Sequence, residues 1–140
     1  MRIGGEERLV AVEDAARYRD ALGVVLGPGV PDAFLGPTKD PLTSLVARYA
    51  RTHGPFTARE VAARFAIGEA SAATALERLA AAGKVVTGAF RPLGPTTVRR
   101  AEAAVEHCDV EVLRALKQKT LARLRAAIEP VDAAAFARFL

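Results

Sequence analysis

The sequence predicts a mostly α-helical chain with one small β-hairpin, an α+β fold, and three observations predict it. Apolar residues recur at helical spacing in several separate stretches. Those stretches begin at capping residues or end at Gly or Pro, and one short run switches to strand character. The 140 residues are 51% hydrophobic and 26% charged, a globular composition sufficient for one ordinary domain with an appendage. No apolar run approaches the roughly 20 residues that cross a bilayer. The start, Met1-Arg2-Ile3-Gly4-Gly5-Glu6-Glu7, lacks the apolar core of a signal peptide. A lone cysteine, Cys108, cannot close an internal disulfide, so a cytoplasmic setting is expected.

Taken in order, Arg8-Leu9-Val10-Ala11-Val12 predicts a short strand. Glu13-Asp14 opens a helix to about Leu22, with Ala15, Ala16, Tyr18 and Leu22 as its apolar stripe and Gly23 as its stop. Gly27, Pro28, Gly29, Pro31, Gly36 and Pro37 then break any regular structure, which predicts a linker packed through Val30, Phe34 and Leu35. Asp40-Pro41 reads as an N-cap followed by proline at the first helical position, where a missing N–H costs nothing. Leu42, Leu45, Val46 and Tyr49 carry that helix to about His53, where Gly54-Pro55 stops it and Phe56 offers a short strand.

Thr57-Ala58-Arg59-Glu60 is a capping box that opens a second helix with Val61, Ala62 and Phe65 on one face. Ala66-Ile67-Gly68 turns the chain into a third helix from about Ala70 to Ala82, with Ala72, Leu76, Leu79 and Ala80 inward and Gly83 as its cap. Residues 84–90 read as a strand, 92–100 as a turn-rich loop and 104–108 as the return strand, which places His107 at a sheet edge. Helix, helix, turn, helix, hairpin is the order of a winged helix-turn-helix domain, here residues 37–108. An N-terminal β-α segment and linker (1–36) precede it, and C-terminal helices (109–140) follow as the start of a further domain. Asp109 caps the first of these, with Val110, Leu113, Leu116, Leu121, Leu124 and Ile128 in its stripe and Lys117 among them. Asp132 caps the second, and its apolar side, Phe136, Phe139 and Leu140, reads as part of something longer.

Catalytic patterns are missing from these residues. The sequence has no glycine-rich phosphate loop and no paired-cysteine metal site. His53 and His107 lack the Ser and carboxylate pattern of a triad, and His107-Cys108 has no second cysteine to complete a metal set. Charge is more informative. The net +4 is distributed as −2 over residues 1–36, +4 over 37–108 and +2 over 109–140. A basic excess over the winged helix favours a polyanionic partner through counterion release. The alternative is a mildly basic solvated surface.

Within the helix-turn-helix, Ser71, Thr74, Glu77 and Arg78 should face outward from the third helix. Base readers in the major groove favour Arg, Asn, Gln or Lys, and one Arg beside Glu69 and Glu77 is a poor set. The remaining cations are Arg59 at the start of the second helix, Lys84 and Arg91 on the wing strand, and Arg99 and Arg100 near the wing tip. Such a set predicts contact with the DNA phosphate backbone and little sequence reading. The other reading is a packing module in a larger machine.

Residues 7–23 (Glu7-Arg8-Leu9-Val10-Ala11-Val12-Glu13-Asp14-Ala15-Ala16-Arg17-Tyr18-Arg19-Asp20-Ala21-Leu22-Gly23) resemble the large helicase-related (Lhr) family of bacterial superfamily 2 DNA helicases. The likeness continues at Asp40-Pro41-Leu42, through residues 46–57 and 60–65, at Arg78-Leu79-Ala80-Ala81-Ala82-Gly83, and at Cys108-Asp109 and Glu129-Pro130-Val131-Asp132. It implies a winged-helix part downstream of two RecA-like motor domains, in a protein that works with ATP and Mg. Those cofactors would bind the motor, whose motifs are absent here, so no cofactor and no catalytic residue is expected in this chain. Its partners would be DNA and other domains of the helicase, with no membrane, as a monomer. Two departures stand out: the small residues Glu69-Ala70-Ser71-Ala72-Ala73, and a 92–106 loop that follows no family pattern. The alternatives are a freestanding winged-helix DNA-binding transcriptional regulator that dimerises through 110–128, and a protein-interaction winged helix.

Overall fold

The computed structural model describes residues 1–91, 104–128 and 137–138. It opens on a hairpin, not on the strand expected at 8–12. Strands β1 (Arg2–Ile3) and β2 (Glu6–Glu7) pair antiparallel, with Ile3 opposite Glu6. Gly4 (φ 59°) and Gly5 (φ 83°) form the turn, and two consecutive left-handed residues match the twist of a tight hairpin. A side chain at Gly4 would also put its Cβ 2.8 Å from that of Ala66, so the hairpin seats against the turn of the helix-turn-helix. Arg8 fastens it by donating from Nη1 to the Arg64 carbonyl at 2.5 Å. Residues 8–11 belong to no strand: Arg8 still exchanges backbone hydrogen bonds with Met1 across the hairpin, but Leu9 beyond it lies fully in solvent.

A 3-10 turn (Val12–Asp14) leads into α1 (Ala15–Leu22), which Gly23 ends. Asp14 makes no cap. It is buried, and it accepts hydrogen bonds from the guanidinium of Arg17 and from Nη1 of Arg48 at 2.5 Å, which joins α1 to the next helix. The linker contains a second 3-10 turn (Asp32–Phe34), and Phe34 packs less than expected, remaining 38% exposed. Arg19 Nη1 to the Leu35 carbonyl (3.0 Å) and the Thr38 N–H to Asp20 (2.9 Å) hold the linker against α1.

Helix α2 (Pro41–Thr52) starts at its proline, but Asp40 does not cap it through a backbone N–H. Asp40 sits in a left-handed conformation (φ 48°), and its carboxylate accepts from the Thr43 hydroxyl at 2.9 Å. Strand β3 (Phe56–Thr57) feeds α3 (Ala58–Phe65) through the expected capping box. Glu60 accepts from the Thr57 N–H at 2.5 Å, and the Thr57 hydroxyl accepts from the Glu60 N–H at 3.3 Å. After the turn, α4 (Glu69–Ala81) buries Ala72, Ala75, Leu76 and Leu79. Ala75 takes the inward place expected of Ala80, which is half-buried.

Strands β4 (Val85–Gly88) and β5 (Glu106–Asp109) form the hairpin, and β3 adds to its far side, giving the antiparallel order β3-β5-β4. His107 therefore lies in the central strand, opposite Phe56 on one side and Thr87 on the other, and not at an edge. The core is Leu45, Val46 and Ala50 of α2, Phe56, Val61 and Phe65 around α3, the inward face of α4, and Val85.

Asp109 ends β5 and caps α5 (Val110–Ala126), accepting from the N–H groups of Glu111 and Val112. No residue of α5 is buried. The expected stripe is present but open, from Leu116 (39% exposed) through Leu121 and Leu124 to Ile128 (73%). The expected 92–100 loop and the expected helix after Asp132, with Phe136, Phe139 and Leu140, lie outside the described residues apart from a helical Ala137-Arg138. The described chain is thus mostly helical with small antiparallel sheets, compatible with an α+β winged helix.

Candidate nucleic-acid interface

The outward face of α4 follows directly from its inward one. With Ala72, Ala75, Leu76 and Leu79 buried, the 3.6-residue period leaves Ser71, Thr74, Glu77 and Arg78 in solvent, where the sequence places them. Their chemistry is muted. The Thr74 hydroxyl donates to the Ala70 carbonyl at 3.0 Å. Arg78 donates from Nη1 to Asp40 at 3.2 Å, so the one cation of this face is paired. Ser71, Thr74 and Arg78 line a recess of about 240 Å³ against Leu42 and Thr43 of α2.

The other expected residues are dispersed. Arg59 is exposed in the first turn of α3. Lys84 is exposed past the far end of α4, its backbone fixed by an N–H to the Leu79 carbonyl (2.9 Å) and a carbonyl accepting from Val110 (3.1 Å). Arg99 and Arg100 lie outside the described residues.

Arg91 is tied inward. Its Nε donates to the Pro55 carbonyl at 2.8 Å, and its Nη2 donates to that carbonyl and reaches both Glu60 oxygens at 3.0 Å. Glu106 stands 3.4 Å away and itself accepts from the Phe90 and Arg91 N–H groups. The Arg91 hydrogen bond holds the Glu60 carboxyl below its ordinary value of 4.5, with the Thr57 donors adding to it, while Glu60 raises Arg91. This knot fixes the base of the wing to the start of α3.

Arg91→Ala should therefore lower stability by about 1 kcal/mol, the range for a charge pair this exposed. Nucleic-acid affinity should change little. Because Glu60 is depressed in the folded state, its contribution is present above its unfolded pKa and lost as pH falls through the lower folded value. Urea melts at pH 7 and pH 3.5 check this: the difference between wild type and variant should shrink at the lower pH. Unchanged stability with weakened binding would return Arg91 to the interface.

His107 and Cys108 offer no reactive pair. Burial pushes the imidazole below its ordinary value and leaves its Nδ1 unpartnered in the structure. Burial, helped by the Asp109 charge, pushes the Cys108 thiol up, away from the thiolate that binds metals. Among the described residues no three His, Cys, Asp or Glu side chains are grouped to hold a metal ion.

The family described as "Large helicase-related protein, winged-helix domain" matches residues 1–37, which are the N-terminal hairpin, α1 and linker, ahead of the helix-turn-helix. A protein of Mycolicibacterium smegmatis named "Lhr helicase/ probable uracil glycosylase" is 43% identical over 137 residues, covering 97% of this chain and 8% of that protein. The "Lhr helicase/uracil glycosylase" of Escherichia coli is 36% identical over 138 residues, covering 99% of this chain and 8% of its own length. The chain thus spans about 8% of the length of these relatives. A solved structure, RV1404 from Mycobacterium tuberculosis, overlaps 90% of this chain and 76% of its own at a TM-score of 0.37 and 14% identity, too loose a likeness to argue from.

Proposed function

We propose, for a chain that corresponds to a winged-helix region of the large helicase-related family, that it grips the DNA phosphate backbone as a module of an ATP-dependent helicase. The observation that carries this reading is the outward face of α4. It presents Ser71, Thr74, Glu69 and Glu77 with a single Arg78 already paired to Asp40, so it has little with which to read bases. A helix-turn-helix with a mute recognition helix and a basic surround fits backbone contact. ATP and Mg belong, in this reading, to motor domains elsewhere in such a protein. These 140 residues carry no phosphate loop to fit a nucleotide. A cytoplasmic, DNA-repair setting accords with the helicase and uracil glycosylase named for the relatives.

The open stripe of α5 favours a second role, packing against a neighbouring domain of the same protein. Leu121, Leu124 and Ile128 are more than half exposed, and Arg114, Lys117, Lys119, Arg123 and Arg125 surround them without one carboxylate after Glu111 on the helix. Two copies packed along this face would oppose like charges, which weighs against a dimeric regulator.

Fluorescence anisotropy tests the main reading. The purified chain should bind scrambled oligonucleotides within about twofold of one another, with affinities on the order of 10⁻⁴ to 10⁻⁶ M near physiological salt. It should sediment as a monomer and turn over no ATP. A preference for one palindrome, with sedimentation as a dimer, would establish the regulator instead. ATP turnover abolished by a point mutation in this chain would place a motor here.

A further inference from the structure

Between α2, the turn into β4 and the start of α5 runs a groove of about 650 Å³ whose charges are unequally satisfied. Its three carboxylates are all engaged. Asp40 holds the Thr43 hydroxyl and Arg78, Asp109 caps α5, and Glu111 takes both its bonds from Arg114 Nη1 at 2.6 and 2.7 Å. Its three cations are not. Lys39, Arg51 and Lys84 are exposed, and none has a hydrogen-bond or ion-pair partner for its side chain among the described residues. Partnered acids beside unpartnered bases leave a positive trough in a wall whose net charge alone would read as balanced.

We infer that this groove, and not the outward face of α4, seats the phosphodiester backbone of a nucleic acid, with Lys39, Arg51 and Lys84 as its contacts. The inference rests on the nucleic-acid reading above and gives it a location. Geometry supports it. Positions 40, 43, 44, 47 and 51 share one face of α2, so the groove follows the helix axis. From Pro41, just past Lys39, to Arg51 the helix rises over ten residues, roughly 15 Å at about 1.5 Å per residue. That length covers about four nucleotides of a duplex strand at roughly 3.4 Å of axial rise each.

Between those ends the side chains are small: Thr43, Ser44 and Ala47 on α2, with Gly83 across from them. A backbone can approach such a floor closely, and the Ser44 hydroxyl can donate to a phosphate oxygen. Among the described residues no aromatic side chain lines the groove to stack a base. A protein partner would want apolar area to bury at its centre. Of the three larger apolar side chains that line it, Leu79 and Val85 are each only 3% exposed and Val110 is partly buried, so none stands out as an anchor for one.

The test measures anisotropy of the full chain with labelled 20-mer single strands and duplexes from 20 to 200 mM salt. It compares Lys39→Gln/Arg51→Gln/Lys84→Gln with Arg59→Gln/Ser71→Ala, two exposed positions outside the groove. All five positions are exposed, so both variants should melt with the wild type, which circular dichroism confirms before binding is read. The triple variant should flatten the log K against log salt slope by about two on single strands, at about 0.7 per lost contact, and weaken binding on the order of a hundredfold at 0.1 M salt. The double variant should stay within about twofold of wild type. If wild type binds and only the double variant loses affinity, the groove is overturned and the nucleic-acid reading stands. If wild type binds nothing at 20 mM salt, both fall. If polyglutamate of equal charge displaces DNA at equal concentration, the groove takes acidic protein segments and the nucleic-acid assignment is overturned.

Discussion

Leu76→Ala should remove about 2–5 kcal/mol of unfolding free energy, the range for a buried leucine that leaves a cavity. Leu76 is completely buried in the middle of α4, flanked on the same face by Ala72, Ala75 and Leu79. The cluster it joins holds Leu45 and Val46 from α2 and Val61 and Phe65 from α3. Each of those helices is fixed at an end, α3 by the Thr57–Glu60 box and α4 by the Gly83 and Lys84 N–H groups bonding back to Ala80 and Leu79. Helices so anchored cannot close freely over a lost side chain, which favours the upper half of the range. Against a total of about 5–15 kcal/mol for an ordinary domain, the variant should melt much earlier. Glu77→Ala, one residue on but exposed, should stay within about 0.5 kcal/mol. Urea denaturation should show the midpoint falling with the slope unchanged. A loss below about 0.5 kcal/mol for Leu76→Ala would mean that α4 does not pack as described.

The parts of the fold that were readable in the sequence are those with their own local chemistry. Pro41, the Thr57–Glu60 box and Gly83 mark boundaries within a residue or two of those observed for α2, α3 and α4. The exposure of Ser71, Thr74, Glu77 and Arg78 followed from helical period alone. What escaped was decided at a distance. The β1–β2 hairpin has two residues per strand, too few for alternation to show, and one buried side chain, Ile3. The aliphatic run at 8–12 has strand composition, yet past Arg8, which pairs with Met1, it passes into a 3-10 turn. His107 became central because a two-residue strand, β3, completes the sheet from 50 residues upstream.

The same limit applies to the interface. Arg78 and Arg91 look like free cations in the sequence, but their carboxylate partners stand 38 and 31 residues away, where no spacing rule reaches. Lys39 and Arg51 show the converse. Their groove is assembled with Lys84 only when α4 folds back along α2, and their value depends on which neighbouring acids are already occupied. Periodicity could have put residues 40, 43, 44, 47 and 51 on one face, yet it could not have counted the bonds made there.

Asp14→Ala should cost about 2–3 kcal/mol, the next largest loss expected from a single change. Asp14 is 6% exposed and accepts from two arginines, one in α1 and one in α2. Removing the carboxylate leaves both guanidinium groups without this partner, and Arg17 already holds a buried Nε with no hydrogen bond in the structure. Breaking a fully buried pair from one side costs about 3–5 kcal/mol. Here the Arg17 and Arg48 side chains are 26% and 49% exposed, so water recovers part of the loss and the estimate falls. Asp14→Asn should be milder, since an amide oxygen still accepts one of the two bonds. The exposed Asp32→Ala serves as the control and should stay within about 0.5 kcal/mol. Location matters as much as size. Asp14 joins the segment matched by the family description to the helix-turn-helix behind it, and α1 also packs Tyr18, Ala21 and Leu22 onto the core. If the two fold together, Asp14→Ala should lower a single cooperative transition seen equally by circular dichroism and by Tyr18 and Tyr49 fluorescence. If the variant instead splits the melt in two, with the helix-turn-helix unfolding at its wild-type midpoint, the N-terminal segment is a separate folding unit and the pairing of Asp14 with Arg48 contributes little to the core.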